Sequence, residues 1–142
     1  MITSVIANAA IVAAIFYTET NKIPAENIAV VDTAGRLVAF ERMDGAILAG
    51  GFGAIGKAVA SALFNKASSA LEPGINPTPT NPTLPYVEQV SAAVGWGPLF
   101  RQGAVPLLDK AGNFLGAIGC GGGTAAQDEA VAMAGAAAVA AL

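Results

Sequence analysis

The residues of this chain able to do chemistry fall into four short stretches. In "ERMDGA", Glu41 to Ala46, Arg42 and Asp44 stand two apart at the predicted end of a strand. A guanidinium there would orient a substrate carboxylate while the aspartate carries a proton, although the same two residues also make an ordinary exposed ion pair. In "GGFGAIGKA", Gly50 to Ala58, Gly51, Gly53 and Gly56 match the GxGxxG of dinucleotide sites, and Gly51 to Lys57 matches most of the GxxxxGK[ST] phosphate loop. Both matches fail on context. A hairpin precedes the glycines instead of a βαβ strand, the region downstream is proline-rich, and Ala58 stands where magnesium binding needs Ser or Thr. What survives is a predicted glycine-rich helix start whose N–H groups, with Lys57, suit a carboxylate.

The third stretch, "GCGGGT", Gly119 to Thr124, is a second glycine-rich lead into a helix. Two readings stand: the two glycine-rich segments face one pocket, or each is a tight turn that holds no ligand. Cys120 within the second is either a nucleophile activated by a helix N-terminus or a small buried side chain. The fourth is "QDE", where Glu129 joins Asp44 as a candidate proton carrier, with Lys57 or glycine N–H groups steadying an oxyanion.

Composition removes more than it adds. The chain has no histidine, which excludes Ser-His-Asp and Cys-His sites, most zinc sites and histidine-ligated haem. Tyr17, Tyr86, Met43 and Met133 are conceivable iron ligands and equally plain packing residues. A net charge of -3 without a basic run argues against nucleic acid. One cysteine excludes an intramolecular disulfide and fits a reducing compartment, so a cytoplasmic location is expected. With 54% apolar and 12% charged residues in 142, one domain spanning 1–142 has too little polar surface to cover itself, which predicts a homo-oligomer.

The elements that must position these residues follow from periodicity and turn chemistry. "MITSVIANAAIVAAIFYTETNK" has no basic residue before its apolar part, and Glu19 and Lys22 close it. It is too short for a membrane span, and it predicts a helix of the fold. Its stripe Val5, Ala9, Val12 and Phe16, with Ile6, Ala10, Ala13 and Tyr17 beside it, predicts burial on more than one side. Ile28–Val31 and Leu37–Phe40 are strand-like runs around "DTAG", and "DKAG", Asp109–Gly112, repeats that turn between two later apolar runs. Two hairpins built alike predict one antiparallel sheet, covered on both faces because its strands are continuously apolar. Ala54–Ala70 reads as helix, and "EPGINPTPTNPTLP", 72–85, as an extended surface loop. Thr124 with Gln127 is a capping box opening a last, alanine-rich helix, whose small side chains and Gly135 favour close packing. Trp96 and Phe100 belong to a pocket wall, the core or an interface.

The blocks "IAVVDTAGRLVAFERMDGA" and "GAVPLLDKAGNFLGAIGCGGGTAAQDEAVAMAGAAAV", in order over nearly the whole chain, resemble the GlcG/HbpS family. That family includes haem-binding proteins and the C-terminal domain of PduO-type proteins. The resemblance implies an α+β, three-layer α/β/α fold with an antiparallel sheet of about five strands flanked by helices. It also implies homo-oligomers, and haem or a corrinoid as conceivable ligands. The expected function is a small-molecule-binding protein whose pocket lies between the Arg42/Asp44 strand end, the Lys57 helix start and the Gly119–Gly123 turn. Arg42 and Lys57 would hold an anionic group, with Gly103, Pro106, Gly119, Cys120 and Gly121 around it. The alternative is a cofactor-independent isomerase, hydratase or lyase using Asp44, Lys57 and Glu129 on a small carboxylated or carbonyl compound. Neither reading involves a metal site, nucleic acid or a membrane.

Overall fold

Polar turns and helix caps lay out the chain between apolar segments. In the structure, a computed structural model, residues 1–72, 92–93 and 97–142 are described. The proline-rich stretch beyond Glu72, Tyr86 and Trp96 therefore lie outside the described residues. Helix α1 (Ser4–Thr20) leads to the hairpin β1 (Asn27–Asp32) and β2 (Leu37–Arg42), then to α2 (Ala49–Phe64). A short 3-10 turn at Ser68–Ala70 follows, then β3 (Ala104–Leu108), β4 (Phe114–Gly121) and α3 (Ala125–Ala140).

The two expected turns form as their chemistry dictates. Asp32 Oδ1 accepts from the Ala34 and Arg36 amides, and Gly35 closes the turn at φ 75°. Asp109 Oδ1 accepts from Ala111 and Asn113, with Gly112 at φ 84°. The hairpins join through β1 and β4 into one antiparallel sheet of order β2-β1-β4-β3. This is the expected sheet with four strands among the described residues, where the resemblance implied about five.

Each face of the sheet carries a helical layer. Ile28, Val30, Leu107, Ile118 and Cys120 pack against α1 and α3, while Ala29, Val31 and Ala117 pack against Ala54, Ala58 and Val59 of α2. The capping box of α3 is complete, Thr124 and Gln127 exchanging side-chain and backbone hydrogen bonds. A Cβ at Gly135 would come within 2.6 Å of Ile118 Cδ1 and 2.8 Å of the Ala10 carbonyl oxygen. The alanine-rich helix thus lies close against β4 and α1.

Two expectations about the helices are corrected. Helix α1 buries Ala7, Ala10, Ile11, Ala14 and Thr18, whereas Val5, Val12 and Phe16 of the predicted stripe face outward. Close approach to α3 selects the small side chains and leaves the bulky ones outside. Helix α2 begins at Ala49, before the glycines, and ends with Asn65 in the left-handed conformation. Gly50 and Gly51 therefore lie in the first turn, as a glycine-rich helix start predicts, whereas Gly53 and Gly56 lie further inside and Lys57 is past the start. Each glycine costs the helix about 1 kcal/mol relative to alanine. Tertiary packing explains two of them: a Cβ at Gly50 would lie 2.6 Å from the Gly121 carbonyl oxygen, and one at Gly56 2.9 Å from Leu99 Cβ.

Candidate functional site

One end of the sheet, where β1 starts, β2 and β4 finish and β3 begins, gathers two polar groupings of different kinds. The first lies beneath the N-terminal half of α2. Antiparallel register places Arg42, Asn27 and Gly121 side by side across β2, β1 and β4, with Phe40, Ala29 and Gly119 forming the next row inside. Residues directly opposite one another in a sheet project from the same face. Glycines at 119 and 121 allow α2 to sit low on β4, against Ala54, Ala58 and Gly50. Over β2 the helix stands off instead and leaves a cleft of about 650 Å³, lined by Asn27, Phe40, Arg42, Leu48, Gly51, Phe52 and Ile55.

The cleft is apolar with two polar exceptions. Arg42 is exposed at its rim and is the one charged side chain of the lining. Asn27 is fully buried at its floor. Its amide nitrogen donates to the Ile47 carbonyl at 2.8 Å and to the Gly121 carbonyl at 3.0 Å. Its Oδ1 has no partner among the described residues. Leu48 and Phe52 on the wall are 70% and 85% exposed, so the wall is unfinished by this chain's described residues.

The second grouping is buried and, apart from Glu26 Oε2, which has no partner among the described residues, internally paired. Lys57 Nζ donates to Asp128 Oδ2 at 2.8 Å, both side chains being buried. The Gly123 amide is shared between Asp128 Oδ1 at 2.9 Å and Glu26 Oε1 at 3.1 Å. Burial of Glu26, reinforced by the Asp128 charge, pushes its pKa up to about 8. Glu26 is therefore largely protonated at neutral pH, and the group carries one cation against one anion. Gly103 completes it: at φ 138° its missing Cβ leaves the space that Lys57 Nζ occupies. The outcome ties β1, α2 and the approach to β3 to the first turn of α3.

The expected site residues divide between these places. Arg42 lines the cleft, and Gly121 lies on the far side of Asn27 from it, with Gly119 one row inside. Lys57 and Gly103 belong to the buried cluster, and Lys57 is consumed by Asp128. Glu129 is held nearby by Ser69 Oγ at 2.6 Å and Gln102 Nε2 at 2.7 Å. Asp44 is exposed in the turn after β2, and Pro106 lies with Leu108 beside the C-terminal half of α3. Cys120 is on β4 rather than at a helix start, and points into the α1/α3 core. Burial pushes its thiol well up, the opposite of an activated nucleophile.

Sequence reasoning missed Asn27, Glu26, Phe40 and Phe52. Asn27 and Glu26 sit side by side immediately before the first apolar run, and a polar pair leading into a buried strand was the available signal. Among the described residues no cluster of His, Cys, Asp or Glu suits a metal ion, and no helix is long and apolar enough to cross a membrane.

Known structures share this architecture. ORFY of Klebsiella pneumoniae superposes with a TM-score of 0.85 at 22% identity, covering 99% of this chain and 92% of that one. A crystal structure of HbpS matches with a TM-score of 0.76 at 28% identity, over 96% and 88% of the two chains, and a doubly substituted HbpS of Streptomyces reticuli matches equally well. A PduOC–haem complex matches with a TM-score of 0.76 at 22% identity, over 93% and 90%. No curated protein matches the sequence. The family model described as haem degrading protein HbpS-like matches residues 2–137, which take in the described sheet, α1, α2, most of α3 and both polar groupings, so the chain belongs to the HbpS-like family.

Proposed function

We propose that this protein binds a small, largely apolar molecule carrying an anionic group, in the cleft beneath α2. The carrying observation is the lining: phenylalanine and aliphatic walls, one buried amide at the floor, and Arg42 as the one charged group at the rim. A volume of about 650 Å³ is of the size that holds a drug-sized ligand. A guanidinium at an otherwise apolar mouth favours a carboxylate, which it meets through two parallel N–H donors.

Membership in the HbpS-like family and likeness to a haem complex raise haem as the ligand. The cleft suits the ring faces and carboxylates of a tetrapyrrole through Phe40, Phe52 and Arg42. Among the described residues it does not suit the iron: no described lining side chain is an imidazole, thiolate, thioether or phenolate. A corrinoid's metal meets the same lack. The reading therefore rests on the carboxylate and the apolar faces. The exposed stripe of Val5, Val12 and Phe16 on α1 supports association with further copies of the chain, and the free buried Cys120 supports a reducing, cytoplasmic setting.

The test is an absorbance titration with haemin and with metal-free protoporphyrin, for the wild type and Arg42→Ala. Saturable binding of both, weakened roughly tenfold or more by the substitution, is expected. Absence of saturable binding, or indifference to Arg42→Ala, overturns the proposal.

A further inference from the structure

The orientation of Asn27 is fixed by what surrounds it. Two main-chain carbonyls, of Ile47 and Gly121, lie at 2.8 and 3.0 Å from one end of its amide. A carbonyl oxygen only accepts, so that end is the NH2 group, and Oδ1 is the other. Oδ1 is thus a fully buried acceptor with no partner among the described residues, in a structure where such groups are normally satisfied.

The glycines of α2 make room for this arrangement. A Cβ at Gly50 would come within 2.7 Å of the Asn27 amide nitrogen, so glycine there protects the anchored end. A Cβ at Gly51 would lie 3.5 Å from Oδ1 and 3.4 Å from Phe40 Cζ, so glycine there keeps the space over the free oxygen open to the cleft. In a helix that four glycines weaken, this second one has no packing clash to justify it. Its effect is to place no side chain between the buried Oδ1 and the cleft that Asn27 lines.

We propose, resting on the cleft reading above, that Asn27 Oδ1 is a specificity-determining acceptor and that the ligand is a flat apolar carboxylate bearing an N–H or O–H donor. The donor meets Asn27 at the floor while the carboxylate meets Arg42 at the rim. The two protein groups stand opposite one another in the β1/β2 register, so donor and carboxylate belong to the same small molecule. A ligand that lacks the donor leaves Oδ1 buried and unpaired, and is rejected for that reason.

The experiment compares indolepropionate, whose ring N–H is a donor, with its N-methyl derivative, by calorimetric titration of the full chain. The expected result is that the N–H compound binds roughly tenfold to a hundredfold more tightly. Gly51→Ala is expected to abolish that preference by placing a methyl over Oδ1. Alanine is a better helix former than glycine, so this variant should melt no lower than the wild type, which separates loss of recognition from loss of fold. Equal binding of the two compounds, both weakened by Arg42→Ala, overturns the acceptor role and leaves the cleft reading standing. Binding of neither compound overturns the acceptor role, and the porphyrin titration then decides the cleft reading separately.

Discussion

The cleft and the buried cluster lie at the same end of the sheet and are built from adjacent residues, Asn27 and Glu26, yet they answer opposite requirements. In the cluster, Lys57, Asp128, Glu26 Oε1 and the Gly123 amide pair across short distances, and Glu26 Oε2 alone lacks a partner among the described residues. In the cleft, Arg42 has solvent and Asn27 has half a set of partners. Charge that is saturated from within the fold holds elements together and has nothing left to offer a ligand. Polar groups that the fold anchors at one end and leaves free at the other are the ones available for recognition. This is why Lys57, the more conspicuous residue in the sequence, is assigned to architecture and Asn27 to binding.

Breaking the cluster is the most severe way to test that division. Lys57→Met leaves Asp128 buried opposite an apolar side chain, and removal of one partner of a buried pair costs about 3–5 kcal/mol. Urea denaturation is expected to show a loss of that size, enough to unfold a marginal domain. Pairing it with Asp128→Asn is expected to restore much of the loss, because no uncompensated charge then remains. Ligand affinity of the refolded double variant should match the wild type. A large loss of affinity there would place Lys57 in the binding machinery and erase the distinction between the two regions.

Glu26 gives a subtler reading of the same cluster. Its carboxyl holds its proton up to about pH 8 in the folded state, against 4.5 for the ordinary group. The folded protein then binds more protons than the unfolded chain between those values, so stability falls as pH rises from about 4.5 through 8. The change across that window is at most on the order of 5 kcal/mol. Asp128, Lys57 and the Cys120 thiol are the ionisable groups that face it, from α3, α2 and β4. Glu26→Gln keeps an acceptor for the Gly123 amide and cannot ionise. Denaturant midpoints measured from pH 5 to 9 should lose most of their downward slope in this variant; an unchanged slope would mean that another group carries it.

How much of this was legible in the sequence depends on the separation of the partners. Asp32 with Gly35, Asp109 with Gly112 and Thr124 with Gln127 make their hydrogen bonds within a few residues, and each appears in the structure as its local chemistry requires. The start of α2 was illegible because glycines argue locally for a loop, whereas their helical placement is decided by contact with β4 and Leu99. The site was illegible for the same reason in stronger form. Asn27 acquires its orientation from Gly121, 94 positions away, and Glu26 its environment from Gly123, 97 positions away. Arg42 can be nominated from sequence because its chemistry travels with its residue type, whereas the value of an asparagine depends on which of its atoms the fold leaves free.

The smallest expected effect sets the boundary of the cleft. Asp44 follows Arg42 by two residues and shares its exposure, but it stands in the turn after β2 and outside the cleft lining. Exposed side chains without structural partners change stability by no more than about 0.5 kcal/mol. Asp44→Asn is therefore expected to leave the denaturant midpoint within error and to change affinity for a carboxylate ligand less than twofold, a slight gain arising from removal of a like charge near the mouth. Arg42→Ala measured alongside supplies the scale. Should Asp44→Asn alter affinity as much as Arg42→Ala does, the ligand reaches beyond the lining into the turn, and the pairing of a guanidinium with an acid–base carboxylate returns as the chemistry of this end of the sheet.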